Sequence, residues 1–148
     1  MQELHGHYLE ELEVGMTAIH SKTVTEADVV LFAGISGDIN PVHLDNDYAR
    51  DTMFKGRIAH GMLTASFIST VLGTKLPGPG CIYISQNLQF RAPVRIGDTV
   101  RARVTITSVD RKRGRVALET KCTVAETVVI SGDALLLVQR RPVPQAAE

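Results

Sequence analysis

Apolar and polar positions change their period twice along this chain, and each change marks a new kind of element. Thr25 is a candidate helix N-cap with Asp28 as its acidic partner. Apolar residues at helical spacing follow, so residues 25–35 (TEADVVLFAGI) predict a short helix. Residues 36–46, SGDINPVHLDN, collect Gly, Asp, Asn and Pro. Pro41 biases Asn40 away from helical angles, which predicts an ordered loop. A second short helix is expected over residues 46–52. From Gly61 to Gly73 the chain reads GMLTASFISTVLG, apolar on nearly every side, which predicts a buried helix about 20 Å long.

KLPGPG then breaks the chain, and from Cys81 onward the period becomes that of strands. Val100, Ala102, Val104 and Ile106 alternate with Arg101, Arg103, Thr105 and Thr107, the pattern of a strand with one buried face. Val116, Leu118, Thr120, Cys122 and Val124 form the next row, and Gly114 in the intervening DRKRG supports a hairpin turn. VVISGDALLLV lacks alternation and reads as a strand covered on both faces, with Gly132 a candidate bulge. Residues 81–95 are expected to form one long strand and residues 17–24 an earlier one. Ala125-Glu126-Thr127, where the last hairpin turns, lacks the usual Gly or Asn. The order predicts an α+β fold in which a curved antiparallel sheet wraps one long helix. About five strands cover only part of such a helix, leaving a face for a second subunit.

Composition narrows the function classes. The 148 residues, 44% hydrophobic and 22% charged, fit one folded domain over residues 1–148, with a flexible tail from about residue 140. Sixteen Lys plus Arg balance sixteen Asp plus Glu, which argues against nucleic acid or an anionic membrane as partner and leaves little repulsion between identical subunits. No apolar run approaches the roughly 20 residues of a membrane span. The mixed, acidic start MQELHGHYLEELEVG lacks the order of a signal peptide. Cys81 and Cys122 lie far apart and form neither a disulfide framework nor a zinc motif, so a reducing cytoplasm is expected. No glycine-rich phosphate loop, nucleotide fingerprint or metal-ligand cluster is visible, and no cofactor or metal is expected.

The chemistry concentrates in two places. Asp38 and His43 lie across a turn set by Asn40 and Pro41, so their side chains can converge on one small volume. A carboxylate and an imidazole there can hold a water and exchange its protons. Asp and Asn in such a loop also serve Asx-turns and helix caps, and both uses remain open at this level. His60-Gly61 opens the long helix, where backbone N–H groups lack acceptors. The Gly61 N–H can receive a carbonyl oxygen that gains negative charge, although a glycine there equally serves tight chain entry. Ser66, Ser69 and Thr70 punctuate the helix, as hydroxyls bonding back one turn do. The basic run Arg111-Lys112-Arg113-Gly114-Arg115 is either a phosphate contact or a solvated turn.

SGDINPVHLDNDYA followed by IAHGMLTASFIS resembles the MaoC-like family, specifically its (R)-specific 2-enoyl-CoA hydratases of hot-dog fold. The resemblance runs from near Thr17, through YISQNLQFRAPVRIGDTV, to near Val138. It implies a long helix wrapped by an antiparallel sheet, in a homodimer whose two sheets can join. It implies that Asp38 and His43 bind and activate water, that the Gly61 N–H is the oxyanion donor and that Asn40 orients the loop or the pair. Ser69 falls where related hydratases carry a serine near the catalytic water, and His60 is the histidine preceding the oxyanion donor.

The activity so implied is reversible addition of water to a trans-2-enoyl-CoA, giving the (3R)-3-hydroxyacyl-CoA, with CoA as part of the substrate. Two enzymes on the same fold compete with this reading: a 3-hydroxyacyl-thioester dehydratase acting on acyl carrier protein, and one acting on a branched or carboxylated acyl-CoA. A thioesterase and a non-catalytic acyl-CoA binding module are further alternatives, and the intact Asp38, Asn40, His43 and Gly61 set argues against the last. Met62, Leu63, Phe67 and Ile68 are candidates for the acyl pocket or for the core. Polyhydroxyalkanoate supply and fatty-acid oxidation are both open as the pathway.

Overall fold

The computed structural model describes residues 2–143. Helix α1 (Glu26–Ser36) begins as the sequence predicts: Asp28 N–H donates to the Thr25 hydroxyl while the Asp28 carboxylate accepts from Thr25 N–H. Gly37, at φ 77°, ends it in the left-handed conformation. The next segment is not loop throughout, because Pro41–Leu44 forms one helical turn, α2. Pro41 excludes a helix before itself yet presets the first helical position, and the Asn40 side chain caps the turn by accepting from Val42 N–H at 3.1 Å. Helix α3 (Asn46–Asp51) follows at once, its cap the Asp45 carboxylate. The long helix α4 spans Gly61–Thr74.

The strands are β1 (Thr17–Thr23), β2 (Ile82–Gln86), β3 (Gln89–Phe90), β4 (Thr99–Asp110), β5 (Arg115–Val124) and β6 (Thr127–Leu137). They form one antiparallel sheet in the order β1-β4-β5-β6-β2, with β3 also paired to β6. Val100, Ala102, Val104 and Ile106 of β4 meet Val116, Leu118 and Cys122 of β5 in the core, all nearly fully buried. Ile68, Val71 and Leu72 of α4 pack into the same cluster, each burial contributing about 1.5–3 kcal/mol. This is a curved sheet around a central helix, the hot-dog arrangement. No helix among the described residues is long and apolar enough to cross a membrane.

Four expectations change. Helix α4 is not buried all round, since Gly61, Met62, Ser66 and Ser69 are exposed along one side. The strand expected over 81–95 is two strands, broken at Asn87–Leu88. Asn87 turns to exchange hydrogen bonds with Asp133, donating to its carbonyl and accepting from its N–H through the side chain. Gly132 is not a bulge: it pairs in register with Thr120, and a side chain there would overlap the Asn87 carbonyl oxygen. The irregularity instead falls at Val129, which the register skips between the Cys122–Ile130 and Thr123–Val128 pairs. Finally, β6 is not covered on both faces, because Thr127, Asp133 and Leu137 are exposed.

The β5–β6 turn uses Ala125 at φ 49°, the left-handed region where Gly or Asn is usual. Of the tail expected from residue 140, Arg140 donates to the carbonyls of Arg111 and Lys112, and Arg141 pairs with Glu11. Residues 144–148 lie outside the described residues.

Candidate active site

The loop between α1 and α2 is built from local hydrogen bonds. Asp38 N–H donates to the Ser36 hydroxyl, and Asn40 N–H donates to Asp38 Oδ1 at 3.2 Å. Asp38 is thereby held with its second oxygen free. Its side chain is half-exposed, and Oδ2 stands 4.0 Å from His43 Nε2.

His43 is buried, 8% exposed. Its Nδ1 lies 2.8 Å from the Ile58 carbonyl, which can only accept, so the proton resides on Nδ1 and Nε2 presents a lone pair toward Asp38. The 4.0 Å separation exceeds a direct hydrogen bond, so the two acceptors face each other unbonded. Burial holds the His43 imidazole below the usual histidine range. The His60 ring adds to that lowering, while the Ile58 carbonyl and the Asp38 carboxylate pull the other way.

His60, at the N-cap of α4, is 1% exposed and donates from Nε2 to the Asp38 carbonyl at 2.9 Å. Its ring centroid lies 3.9 Å from that of His43 and 4.9 Å from that of Phe32. His60 therefore fixes Asp38 through the main chain and walls one face of His43. Its Nδ1 is buried without a hydrogen-bond partner among the described residues.

Gly61 occupies the first position of α4, where backbone N–H groups have no intrahelical acceptor and the helix dipole is positive. Both His43 and Gly61 line a cavity of about 420 Å³ whose other walls are largely apolar, including Met53, Phe54, Ile58, Phe90 and Ile130. Of the pocket candidates on α4, Leu63, Phe67 and Ile68 are core residues, and Met62 faces elsewhere. The wall residues Phe54 and Phe90 carry no pattern in the sequence that distinguishes them from ordinary apolar positions.

Ser69 is not brought to this cavity. With Phe32, Met62, Ser66 and Tyr83 it lines a second groove of about 580 Å³ along the exposed side of α4. The basic turn has internal employment: Arg111 donates to the carbonyls of Leu9 and Leu12, and Asp110 accepts from Lys112 and Arg113 N–H. Among the described residues, Asp38, His43 and His60 bring possible metal-ligating atoms within 4.8 Å of one another. The two rings are tilted by 31°, and one nitrogen of each is hydrogen-bonded to a carbonyl. A paired acid and base beside a backbone donor suits proton transfer to and from a carbonyl compound.

Residues 10–128 match the family model described as MaoC like domain. The chain is 56% identical over 135 residues to an (R)-specific enoyl-CoA hydratase of Rhodospirillum rubrum, covering 91% of this chain and 94% of the relative. It is 50% identical over 141 residues to a 3-hydroxybutyryl-CoA dehydratase of Methylorubrum extorquens, covering 95% and 90%. Among solved structures, the (R)-hydratase from Aeromonas caviae involved in PHA biosynthesis superposes with a TM-score of 0.85 at 40% identity, covering 87% of this chain and 98% of that one.

Proposed function

The chain belongs to the MaoC-like domain family, and we propose that it is an (R)-specific enoyl-CoA hydratase, adding water reversibly to a trans-2-enoyl-CoA to give the (3R)-3-hydroxyacyl-CoA. The observation that carries the proposal is the 4.0 Å opening between Asp38 Oδ2 and the lone pair of His43 Nε2, next to the start of α4. A water bridging the two acceptors has its oxygen held for attack on C3 of the enoyl thioester. As the C3–O bond forms, the C2–C3 π electrons move toward the thioester oxygen, and the Gly61 N–H stabilises the charge gathering there. The Asp38–His43 pair removes a proton from the water and returns one to C2, so the enzyme ends as it began. The pair is treated as a unit because coupled groups share their titration. Dehydration is the same path reversed.

A homodimer completes the proposal. Strand β2 is at the edge of the sheet, and Tyr83 and Ile84 are exposed there next to the apolar groove along α4. A second copy seated on this edge extends the sheet and covers the groove that contains Ser69. Cytoplasmic residence is supported by two free thiols, one of them, Cys122, buried. Supply of (3R)-hydroxyacyl-CoA to polyhydroxyalkanoate synthesis is supported by the named role of the Aeromonas caviae relative.

The test is loss of enoyl-thioester absorbance with crotonyl-CoA, followed by chiral analysis of the product. Fast conversion to the (3R) product is expected. Turnover confined to carrier-bound or longer thioesters would reassign the substrate, and acyl-CoA binding without turnover of any of them would contradict the enzyme reading.

A further inference from the structure

The chain between α3 and α4 grips the motif loop from behind, and Arg57 is the residue through which it does so. Only 13% of the Arg57 side chain is exposed. Its Nε–H donates to the His43 carbonyl at 2.6 Å, while its two terminal nitrogens donate to the two carboxylate oxygens of Glu26 at 3.1 and 2.9 Å. Glu26 is fixed in turn, because it lies in the first turn of α1, where the helix dipole favours an anion. The next residue, Ile58, accepts from the His43 ring at Nδ1 and donates its N–H to the Val42 carbonyl at 3.3 Å. Consecutive residues thus hold His43 at its main chain and at its ring.

A guanidinium suits this task because its donors lie in one plane and diverge. One edge forks onto a carboxylate while Nε–H reaches a separate acceptor; an ammonium cannot reproduce that geometry. The ion pair itself adds little to stability, since the Glu26 side chain is 58% exposed and its charge is screened. The consequence of losing Arg57 therefore falls chiefly on the His43 carbonyl and the turn that presents the imidazole.

We propose that Arg57, oriented by Glu26, is a positioning residue that sets the placement of His43 for proton transfer. Its role rests on the acid–base reading of His43, but its effect on the imidazole can be read without substrate. In Arg57→Lys, kcat is expected to fall about 10- to 100-fold with KM within about twofold, the loss typical of a reacting group displaced by an ångström or less. Glu26→Gln, which keeps an acceptor, is expected to show a smaller loss of the same kind.

The readout that a merely structural role would not move is the His43 imidazole, followed by nitrogen NMR in the substrate-free protein. Wild type is expected to show the Nδ1-protonated tautomer. Arg57→Lys is expected to show mixed tautomers and a titration midpoint displaced upward as the ring gains water. Added guanidinium at low millimolar concentration is expected to restore part of kcat in Arg57→Ala and none in wild type. Arg57→Lys with wild-type kcat, or with reduced kcat but an unmoved His43 tautomer and midpoint, would overturn the proposal. Wild type that turns over no enoyl thioester contradicts the hydratase reading alone.

Discussion

The Phe90 ring closes over Gly61 so tightly that a Cβ on residue 61 would stand 2.8 Å from two ring carbons. Phe90 belongs to the two-residue strand β3, and Gly61 is the first residue of α4, so this contact sets the wall of the cavity beside the proposed oxyanion donor. Gly61→Ala forces the ring or the first helical turn to move. Turnover with crotonyl-CoA is expected to fall about tenfold or more, toward the loss seen when an oxyanion donor is removed. Gly61→Ala/Phe90→Ala should recover part of that loss if the clash displaces the donor. An unchanged kcat in the single variant would show that the Phe90 ring gives way and leaves the donor in place.

His43 is required with a bare Nε2. Because burial lowers its pKa from the ordinary histidine value of 6.5, the acid limb of kcat/KM, which reports the substrate-free enzyme, is expected below pH 6.5, as protonation fills the lone pair that faces Asp38. The same shift affects stability. The unfolded chain takes up the proton first, so this contribution is complete above pH 6.5 and is lost as pH falls from there toward the folded-state pKa. A pH–rate profile and denaturant unfolding across that range check both. A limb above pH 6.5 would show that His43 titrates otherwise.

His43→Gln keeps an amide that can reach the Ile58 carbonyl but supplies no titrating nitrogen. Turnover is expected to drop by about 10²-fold or more while the fold persists, as steady-state kinetics and circular dichroism would record.

Gly132→Ala tests the break between β2 and β3. A methyl group there meets the Asn87 backbone, which is itself held by Asp133, so the clash cannot be relieved by turning a side chain. A loss of about 1–3 kcal/mol in denaturant unfolding is expected. No loss would show that the Asn87 turn is free to shift.

Features governed by local periodicity were legible in the sequence. The cap at Thr25, the helix from Gly61 and the alternation of β4 against β5 each follow from neighbouring residues. Reading failed where one residue serves two local rules or where a distant backbone decides. Pro41 signals both a break and a helix start, and it does both. Gly132 reads as a bulge, but its cause is Asn87 in the break between β2 and β3. Exposure of one side of α4 could not be separated from burial because the residues on that side are small or apolar too. Within the site, Asp38, Asn40 and His43 were visible because their motif is local. Ile58, Phe90 and Arg57 were not, since an ordinary apolar residue, an ordinary aromatic and one arginine among many acquire their roles only when the chain returns to the loop.

The most direct test of the account is hydration of crotonyl-CoA by wild type and by Asp38→Asn, whose side chain keeps an acceptor for Asn40 N–H but cannot take a proton from water. Fast formation of the (3R) product by wild type and a loss of about 10²-fold or more in a folded variant are expected. Near-wild-type turnover by folded Asp38→Asn would contradict the acid–base reading.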